Sequence, residues 1–282
     1  MYKIIKKTVL TPEIFAMDIY APRVAKSAQP GQFVIVITDE KGERVPLTIC
    51  DYDERRGTVQ IVVQAMGKST KDLFQLEEGF AIKDFVGPLG EPSEFIKMDI
   101  EELKDKKVLF VAGGVGSAPI YPQAKWFHDN GLSCDIILGA KNKDLITLEE
   151  KLFHVCDHLY VCTDDGSYGF HGMVTHYIDE LIENQGKEYD HIVAIGPMIM
   201  MKFVALTAEK YGIPITVSLN PIMVDGTGMC GACRVTVDGE TKFACVHGPE
   251  FDGSKVDFDE ALKRQTQYRE QEQLDNYEYR EV

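Results

Sequence analysis

Basic charge and long hydrophobic runs are both scarce in this sequence of 282 residues. The chain has 30 lysines and arginines against 45 aspartates and glutamates, which gives a formal net charge of −15 at pH 7. This balance argues against a nucleic-acid partner, because phosphate binding needs a basic surface. No run of about 18 apolar residues occurs, so we expect no membrane span. The first residues show no apolar signal-peptide segment, so we expect no secretion signal.

Cysteine is also sparse outside one segment. Four of the seven cysteines lie singly inside apolar runs, which is not the pattern of a disulfide framework. These four are Cys50, Cys134, Cys156 and Cys162. We therefore expect a cytoplasmic protein.

The other three cysteines form the strongest chemical signal in the chain. Cys230, Cys233 and Cys245 are spaced C-x2-C-x11-C among glycines. Thiolates at such a spacing can converge on a soft metal centre. A zinc site would need a further pair of ligands, and a redox dithiol would leave Cys245 without a use. The spacing therefore favours an iron–sulfur cluster.

The fourth ligand of this cluster is an open question at this point. In a [2Fe–2S] set of the form C-x4-C-x2-C…C, the first position lies five residues before Cys230. Asp225 stands there in place of a cysteine. It is one candidate ligand, although an Asp-Gly pair is also a common turn. The alternatives are His247 or no fourth ligand.

Short apolar runs separated by turn residues fill the first hundred residues. Six of them read as strands, the last of them Ala81–Val86, which predicts a small antiparallel barrel. One helix is predicted at Ser69–Leu76, and the Gly67–Thr70 stretch at its start could hold a pyrophosphate or simply cap the helix. The segments Arg44–Thr48 and Gly87–Gly90 are further candidates, although Gly87–Gly90 alone reads as a turn.

The middle of the chain has a different pattern, in which apolar strands alternate with helices. This predicts a five-stranded parallel sheet with helices on both faces, whose ligands bind at the carboxyl ends of the strands. Three loops leave such ends: Gly113–Ser117, Thr163–Ser167 and Gly196–Met198. Asp164 and Asp165 can accept hydrogen bonds from ribose hydroxyls and would repel a 2′-phosphate, so NAD(H) is favoured over NADP(H). Plain turns and a helix-capping loop are the alternatives.

These patterns predict a fold of class α/β plus β with four segments. They are an antiparallel barrel at residues 1–99, a parallel nucleotide-binding α/β domain at 100–219, a cluster-binding loop at 220–250, and a tail at 251–282. The tail is rich in Glu, Gln, Arg and Tyr and has little core-forming sequence. We expect it to dock on a partner.

In this order, the motifs resemble those of the ferredoxin-NADP⁺ reductase superfamily with a [2Fe–2S] extension. The similarity covers about residues 1–250. It is close to the electron-transfer subunits of dihydroorotate dehydrogenase B. It is closer still to the small (alpha, NfnA-like) subunits of NADH-dependent reduced ferredoxin:NADP⁺ oxidoreductase. The sequence departs from the family at two positions: Val45 stands where the family has an arginine, and Asp225 where the dihydroorotate branch has a cysteine.

The resemblance implies FAD in the barrel, NAD(H) in the parallel domain and a [2Fe–2S] cluster. The implied cofactor-binding residues are Arg44, Pro46, Leu47, Thr48, Val62, Val63, Gly67, Lys68, Ser69, Thr70, Gly87, Gly90, Gly113, Gly114, Val115, Gly116, Asp164, Asp165, Gly166, Ser167, Gly196, Pro197 and Met198. The implied cluster ligands are Asp225, Cys230, Cys233 and Cys245, because an aspartate at this position is what the NfnA-like branch carries.

By this resemblance the chain is an oxidoreductase subunit. It would exchange hydride between NAD(H) and FAD and pass single electrons to or from a larger flavin and iron–sulfur subunit, in ferredoxin:NADP⁺ transhydrogenation by electron bifurcation. No catalytic acid or base is implied, and ferredoxin would bind the partner. The alternatives are an electron-transfer subunit of dihydroorotate dehydrogenase B, or of a glutamate synthase or sulfide dehydrogenase complex. A zinc-stabilised nucleotide-binding module without catalytic activity is a third reading.

Overall fold

The first ninety residues form one curled antiparallel sheet in the computed structural model, which describes residues 2–268. Within the described part of the chain, the sheet has seven strands: β1 (Tyr2–Val9), β2 (Ile14–Tyr20), β3 (Phe33–Ile37), β4 (Val45–Asp53), β5 (Thr58–Gln64), β6 (Ala81–Ile82) and β7 (Asp84–Leu89). Their order across the sheet is β6-β1-β2-β5-β4-β3-β7. The predicted antiparallel architecture is therefore confirmed.

The predicted count of six strands is wrong because one expected strand, Ala81–Val86, is two. β6 pairs with β1 at one end of the sheet, and β7 pairs with β3 at the other end. Only Lys83 separates them, and its backbone N–H donates to the carbonyl oxygens of Ile37 and Thr38 at 3.1 and 3.2 Å. The two ends of the sheet therefore meet at this residue, which curls the sheet toward a barrel.

The second sheet is built mainly from parallel strands. Its members are β8 (Val108–Gly113), β9 (Cys134–Ala140), β10 (His158–Thr163), β11 (Phe170–His171), β12 (His191–Ile195), β13 (Ile215–Ser218) and β16 (Glu250–Asp252). The order over residues 2–268 is β11-β10-β9-β8-β12-β13-β16, and the last strand pairs antiparallel. The five predicted parallel strands are present. The predicted count of five strands is nevertheless wrong, because β11 and β16 are only two and three residues long and carry no readable hydrophobic period.

Helices cover both faces of this second sheet. The α-helices of the described residues are α1 (Pro22–Ser27), α2 (Lys68–Gln75), α3 (Ile100–Leu103), α4 (Ser117–Asp129), α5 (Glu149–Phe153), α6 (Val174–Asp179), α7 (Met198–Tyr211), α8 (Ala244–His247) and α9 (Phe258–Gln265). Buried residues of α4 and α5 pack on one face, and buried residues of α6, α7 and α9 pack on the other. Within residues 2–268, no helix combines the length and apolar character that crossing a membrane requires.

The predicted cluster segment contains a hairpin of its own. β14 (Arg234–Val237) and β15 (Glu240–Phe243) pair antiparallel around Asp238 and Gly239. Both turn residues have positive φ, +54° and +73°, the backbone form that an Asp-Gly hairpin turn requires. α8 follows directly, so Cys245 lies on a helix that the hairpin supports.

The expectation of little core-forming sequence after residue 250 is wrong for the part that the structure describes. β16 joins the edge of the second sheet beside β13, and Phe258 and Ala261 of α9 are buried against the same sheet domain. Two apolar residues spaced i, i+3 in a charged segment are too weak a sequence signal to predict a buried helix. The rest of the predicted tail, residues 269–282, lies outside the described residues.

The barrel and the second sheet share one hydrophobic core. Ile14, Ala16, Cys50 and Val62 on the outside of the barrel join the cluster that contains Phe110 of β8 and Phe127 of α4. α4 packs along β4. The carboxyl edge of the parallel strands is thereby held close to β4, where the flavin was expected.

The packing of α9 leads to the first prediction. Replacing Phe258, which is 7% exposed, with alanine should lower the free energy of unfolding by about 3–5 kcal/mol, because a buried aromatic ring leaves a cavity. Phe203→Ala on the neighbouring α7 is the matched control, since that ring is 53% exposed. Urea denaturation measures both. Equal, small losses in the two variants would contradict a structural role for α9.

Candidate functional site

The three cysteines of the 220–250 segment lie in two settings. Cys233 and Cys245 are buried, and their sulfur atoms are 3.2 Å apart. Burial and the Cys233 sulfur raise the pKa of the Cys245 thiol to about 12. Cys230 is exposed, and the backbone N–H of Ala232, 3.5 Å from its sulfur, helps lower the pKa of this thiol.

Asp225 has a carboxylate held by its own loop. Its Oδ2 accepts a hydrogen bond from the Thr227 N–H at 2.9 Å and another from the Thr227 hydroxyl. These bonds lower the pKa of Asp225. Among residues 2–268, no three Cys, His, Asp or Glu side chains converge on one metal position. The structure therefore brings Cys233 and Cys245 into contact, but it does not bring Asp225 or Cys230 to the same position. The set of four ligands stays a prediction.

The loop nevertheless fits an iron–sulfur cluster by its backbone. The N–H groups of Ala232 and Cys245 each lie 3.5 Å from a cysteine sulfur, as donors that stabilise negative sulfur. Gly228 has φ +87°, and a Cβ there would come within 2.6 Å of Val246. The rival ligand His247 accepts the Phe243 N–H at its Nδ1 instead.

The cluster segment packs on the outside of the barrel. Phe33 and Ile35 of β3 share a hydrophobic cluster with Cys233, Ala244 and Cys245. On the opposite face of β3, Val34 and Val36 point into the barrel core. The thiols are therefore seated on the strand next to β4.

The start of α2 was the predicted pyrophosphate seat, and an anionic group already lies there. Ser69 donates a hydrogen bond from its hydroxyl to the Glu43 carboxylate. The Thr70 hydroxyl oxygen accepts the N–H groups of Met66 and Gly67, at 3.0 and 3.1 Å. A helix N-terminus favours negative charge. Glu43 therefore occupies the start of α2, and a phosphate would have to displace it.

The other predicted flavin residues are divided between accessible and buried positions. Pro46, Leu47 and Thr48 are half-buried on β4, where a ligand could reach them. Val62 and Val63 are buried, one in the core shared with α4 and one in the barrel core. The remaining candidates of this group are Lys68, which is exposed at the start of α2, and Gly87 and Gly90, which lie in and just after β7.

Arg44 does not point to the expected partner. Its Nη2 donates to the backbone carbonyl oxygen of Asp225 at 2.8 Å, so it links the barrel to the cluster loop. Its Nε is buried and has no hydrogen-bond partner among the described residues. A flavin contact by Arg44 stays a prediction.

Two of the predicted nucleotide loops meet at the carboxyl edge of the second sheet. Gly113 ends β8, and the turn Gly114–Gly116, with Val115 at its centre, leads into α4. A Cβ on Gly113 would lie 2.2 Å from the Met200 sulfur, and one on Gly116 would lie 2.0 Å from the Ile195 carbonyl oxygen. Only glycine allows this approach between the β8 and β12 loops. Of the Gly196–Met198 loop, Met198 is buried and begins α7.

The third nucleotide loop follows β10 on the same edge. Asp165 accepts hydrogen bonds from the Ser167 N–H at 2.9 Å and the Ser167 hydroxyl at 2.6 Å, which lower the pKa of Asp165. Gly166 makes the turn with φ +73°. Asp164 follows β10 directly, and its N–H donates to the Ala140 carbonyl at the end of β9.

Sequence reasoning missed the loop after β9. β9 lies between β8 and β10, so its carboxyl end belongs to the same edge. The Asn142 Oδ1 there is buried without a partner in the described part of the chain, and the Lys143 N–H donates to Ser167 at 2.8 Å. The rule that led to the other three loops applies equally to this strand end. Asn142 is therefore an additional candidate for contacting a ligand.

A cleft beside the Ser167 loop was also missed. It has a volume of about 770 Å³ and is lined partly by Phe153, Tyr168, Phe170 and Tyr177. Phe170 and Tyr177 stack with their ring centres 4.5 Å apart. These aromatics stand at irregular intervals, at positions 153, 168, 170 and 177, so no local motif predicts the cleft.

The buried carboxyl group of Glu250 links β16 to α4 and, through Gln123, to Ser93 in the segment between the two sheets. Glu250 of β16 accepts a hydrogen bond at Oε1 from Gln123 of α4 at 2.6 Å, and Gln123 also accepts the Ser93 hydroxyl. The Glu250 Oε2 is buried without a partner among the described residues. Burial of this carboxyl, with Glu94 nearby, raises the pKa of Glu250 to about 7.

Comparison with known proteins gives consistent matches. Residues 220–257 match the family model of the iron–sulfur cluster binding domain of dihydroorotate dehydrogenase B. The chain is 63% identical over 272 residues to an uncharacterized protein in the adh 3′ region of Clostridium beijerinckii, covering 96% of this chain and 92% of that protein. It is 50% identical to the dihydroorotate dehydrogenase B (NAD⁺) electron transfer subunit homolog of Thermotoga maritima, covering 96% and 93%.

A solved structure agrees over the whole length. A chain in the structure of NADH-dependent reduced ferredoxin-NADP oxidoreductase is 48% identical, with a TM-score of 0.91. The match covers 99% of this chain and 98% of that chain. The predicted resemblance is confirmed.

The buried carboxyl of Glu250 predicts a measurable pH dependence. Its folded-state pKa lies above the ordinary 4.5, so the folded chain holds an extra proton between about pH 4.5 and 7, and stability falls as pH rises through that window. The decline is on the order of 3 kcal/mol, at about 1.4 kcal/mol per pH unit. Chemical denaturation across that window and up to about pH 8 should show that Glu250→Gln removes this decline. Glu188→Gln, at a side chain 87% exposed, is the control and should retain it. Parallel pH profiles for Glu250→Gln and the parent chain would contradict the assignment.

Proposed function

The chain belongs to the family of dihydroorotate dehydrogenase B electron-transfer subunits and their homologues, and we propose that it is an electron-transfer flavo-iron–sulfur subunit. In this role it exchanges hydride with NAD(H) and relays single electrons to or from a larger flavin and iron–sulfur subunit. The observation that carries the proposal is the seating of Cys233 and Cys245 on β3, the strand between the barrel edge and β4.

The chain's own residues fit FAD in this proposal at two positions. The start of α2, with Gly67, Ser69 and Thr70, would hold the flavin diphosphate after Glu43 leaves. The half-buried strand Pro46–Thr48 would lie along the flavin ring. FAD, when bound, supplies the conversion between two-electron hydride transfer and single-electron transfer.

The nucleotide is proposed to bind across the loops after β8, β10 and β12. Gly113 and Gly116 leave room for a close backbone approach. The ionised Asp165, together with Asp164, would accept ribose hydroxyls and repel a 2′-phosphate, which favours NAD(H). The proposal assigns no acid or base role to a side chain, because the cofactors carry the chemistry.

The electron exit is proposed at the cluster loop. Asp225, Cys230, Cys233 and Cys245 would bind a [2Fe–2S] cluster, as the family match at 220–257 supports. Three apolar side chains of this segment are exposed around Cys230: Val224 (51%), Met229 (88%) and Val246 (41%). They form an apolar surface suited to contact with the larger subunit.

The ferredoxin contact is proposed to lie on the larger subunit. A chain of net charge −15 repels an acidic protein such as ferredoxin.

A second candidate function is electron transfer for dihydroorotate oxidation. The family description of the 220–257 match and the Thermotoga maritima relative favour it. The two functions share all the chemistry of this chain and differ in the larger subunit. Co-purification from the native source and identification of that subunit by mass spectrometry separates them.

The cofactor content is the direct test of the proposal. We expect the anaerobically purified chain to show flavin absorption bands with a broad iron–sulfur shoulder, and NADH to bleach them faster than NADPH does. Iron, flavin and zinc analysis on the same sample provides the control. A colourless protein with stoichiometric zinc would instead support a nucleotide-binding module without redox function.

The ligand role of Asp225 has its own test. Asp225→Cys should change the EPR g-values and the midpoint potential of the cluster, because a soft thiolate replaces a harder oxygen donor. Asp225→Asn is the matched variant: it keeps an oxygen acceptor for Thr227 but loses the charge, and should lose iron more readily. Spectrum and potential that stay the same in Asp225→Cys would refute ligation by Asp225.

A further inference from the structure

Two arginines from outside the cluster segment hold the backbone of the cluster loop. The Arg44 Nη2 donates to the Asp225 carbonyl oxygen at 2.8 Å. The Arg264 Nη2 donates to the Ala232 carbonyl oxygen at 3.0 Å. Asp225 is the first predicted ligand, and Ala232 lies between Cys230 and Cys233. The two contacts therefore fall at the two ends of the stretch that carries the first three ligands.

The two arginines come from rigid and unrelated parts of the fold. Arg44 stands directly before β4 of the barrel, and Arg264 lies on α9. α9 is anchored by the buried Phe258 and Ala261. Both arginines lie outside the 220–257 stretch that matches the cluster-domain family model. The loop thus depends on supports that the matched domain does not contain.

The guanidinium groups are only partly satisfied by the described residues. The Nε atoms of both Arg44 and Arg264 are buried, and neither has a hydrogen-bond partner there. Both arginines are half-buried, and a buried N–H without a partner is costly unless a bound group accepts it. Each guanidinium is next to a loop whose thiolates and carboxylate would carry negative charge. An anionic group bound in this loop would compensate the positive charges of both guanidinium groups.

We propose that Arg44 and Arg264 form a two-sided clamp that positions the cluster loop and raises the reduction potential of the cluster. The proposal rests on the proposed function, because the second part requires the cluster. Reduction adds a negative charge to the cluster, and two nearby positive charges stabilise the reduced form. Arg44 also belongs to the barrel, so the same residue holds the loop in register with the flavin side.

The positioning part is tested without the cluster. Hydrogen–deuterium exchange on the full chain should become roughly tenfold faster or more at residues 225–228 in Arg44→Gln and at 231–233 in Arg264→Gln, because each variant loses a charged hydrogen bond. Arg55→Gln, in the exposed turn between β4 and β5, makes the same charge change and should leave both stretches unchanged. Urea unfolding midpoints monitor global stability. Unchanged exchange in both clamp variants would overturn the positioning role.

The charge part is tested by EPR-monitored redox titration of the cluster. Arg44→Gln and Arg264→Gln should each lower the midpoint potential, and the double variant should lower it further. Arg44→Lys and Arg264→Lys keep the charge and should lower it less. Potentials equal to those of the parent chain and Arg55→Gln would overturn the charge role. A parent chain that binds no iron under reconstitution would overturn the proposed function together with the charge role, while the exchange result would still decide the positioning role.

Discussion

The burial of β3 on both faces is the constraint on which the rest of the structure depends. Val34 and Val36 fill the barrel core, and Phe33 and Ile35 face Cys233, Ala244 and Cys245. In an antiparallel sheet one face commonly meets water, so a strand that is apolar on both sides needs a cover. The cluster segment is that cover. Because β3 also pairs with β4, the same packing sets the separation between the thiols and the strand on which the flavin is proposed to lie.

A second constraint fixes the nucleotide edge against the barrel. The core shared by α4, β8 and the outer face of the barrel prevents the two sheets from moving apart without exposing aromatic rings. Glycines at 113, 116 and 196 then bring the loops of β8 and β12 into backbone contact. Glu250 adds a polar link at the same junction, since it bonds to Gln123 while its strand extends the second sheet. These contacts link the proposed site of hydride transfer to the barrel that carries the proposed electron exit.

Several polar groups in this frame have physical properties suited to charged ligands. Glu43 lies at the start of α2, where a helix terminus favours an anion. Arg44 and Arg264 keep buried Nε atoms without partners in the described chain, and Asn142 keeps a buried oxygen. Since buried polar groups are normally hydrogen-bonded, such exceptions indicate positions where a bound group completes the network. Arg44 and Arg264 contact the proposed cluster loop, and Asn142 lies at the nucleotide edge of the second sheet.

The sequence by itself determined the features that depend on local pattern. Apolar runs such as Val108–Ala112 predicted the parallel strands, glycine loops after them marked the nucleotide edge, and cysteine spacing marked the cluster segment. The run Phe33–Ile37 is apolar at every position, which is the pattern of a strand buried on both faces. The family followed from the order of these motifs, which no single motif could establish.

Only the tertiary structure decided the contacts between distant segments. The split of one expected strand at Lys83 depends on which strands stand at the two ends of the sheet. The partner of Arg44 lies 181 residues away, and Arg264 reaches the loop only because α9 packs on the second sheet. Glu250 becomes a buried acid only when the barrel, α4 and β16 meet. Local periodicity reports whether a residue faces a core, but not which element supplies that core, because chain segments far apart in sequence meet only through the packing of the whole.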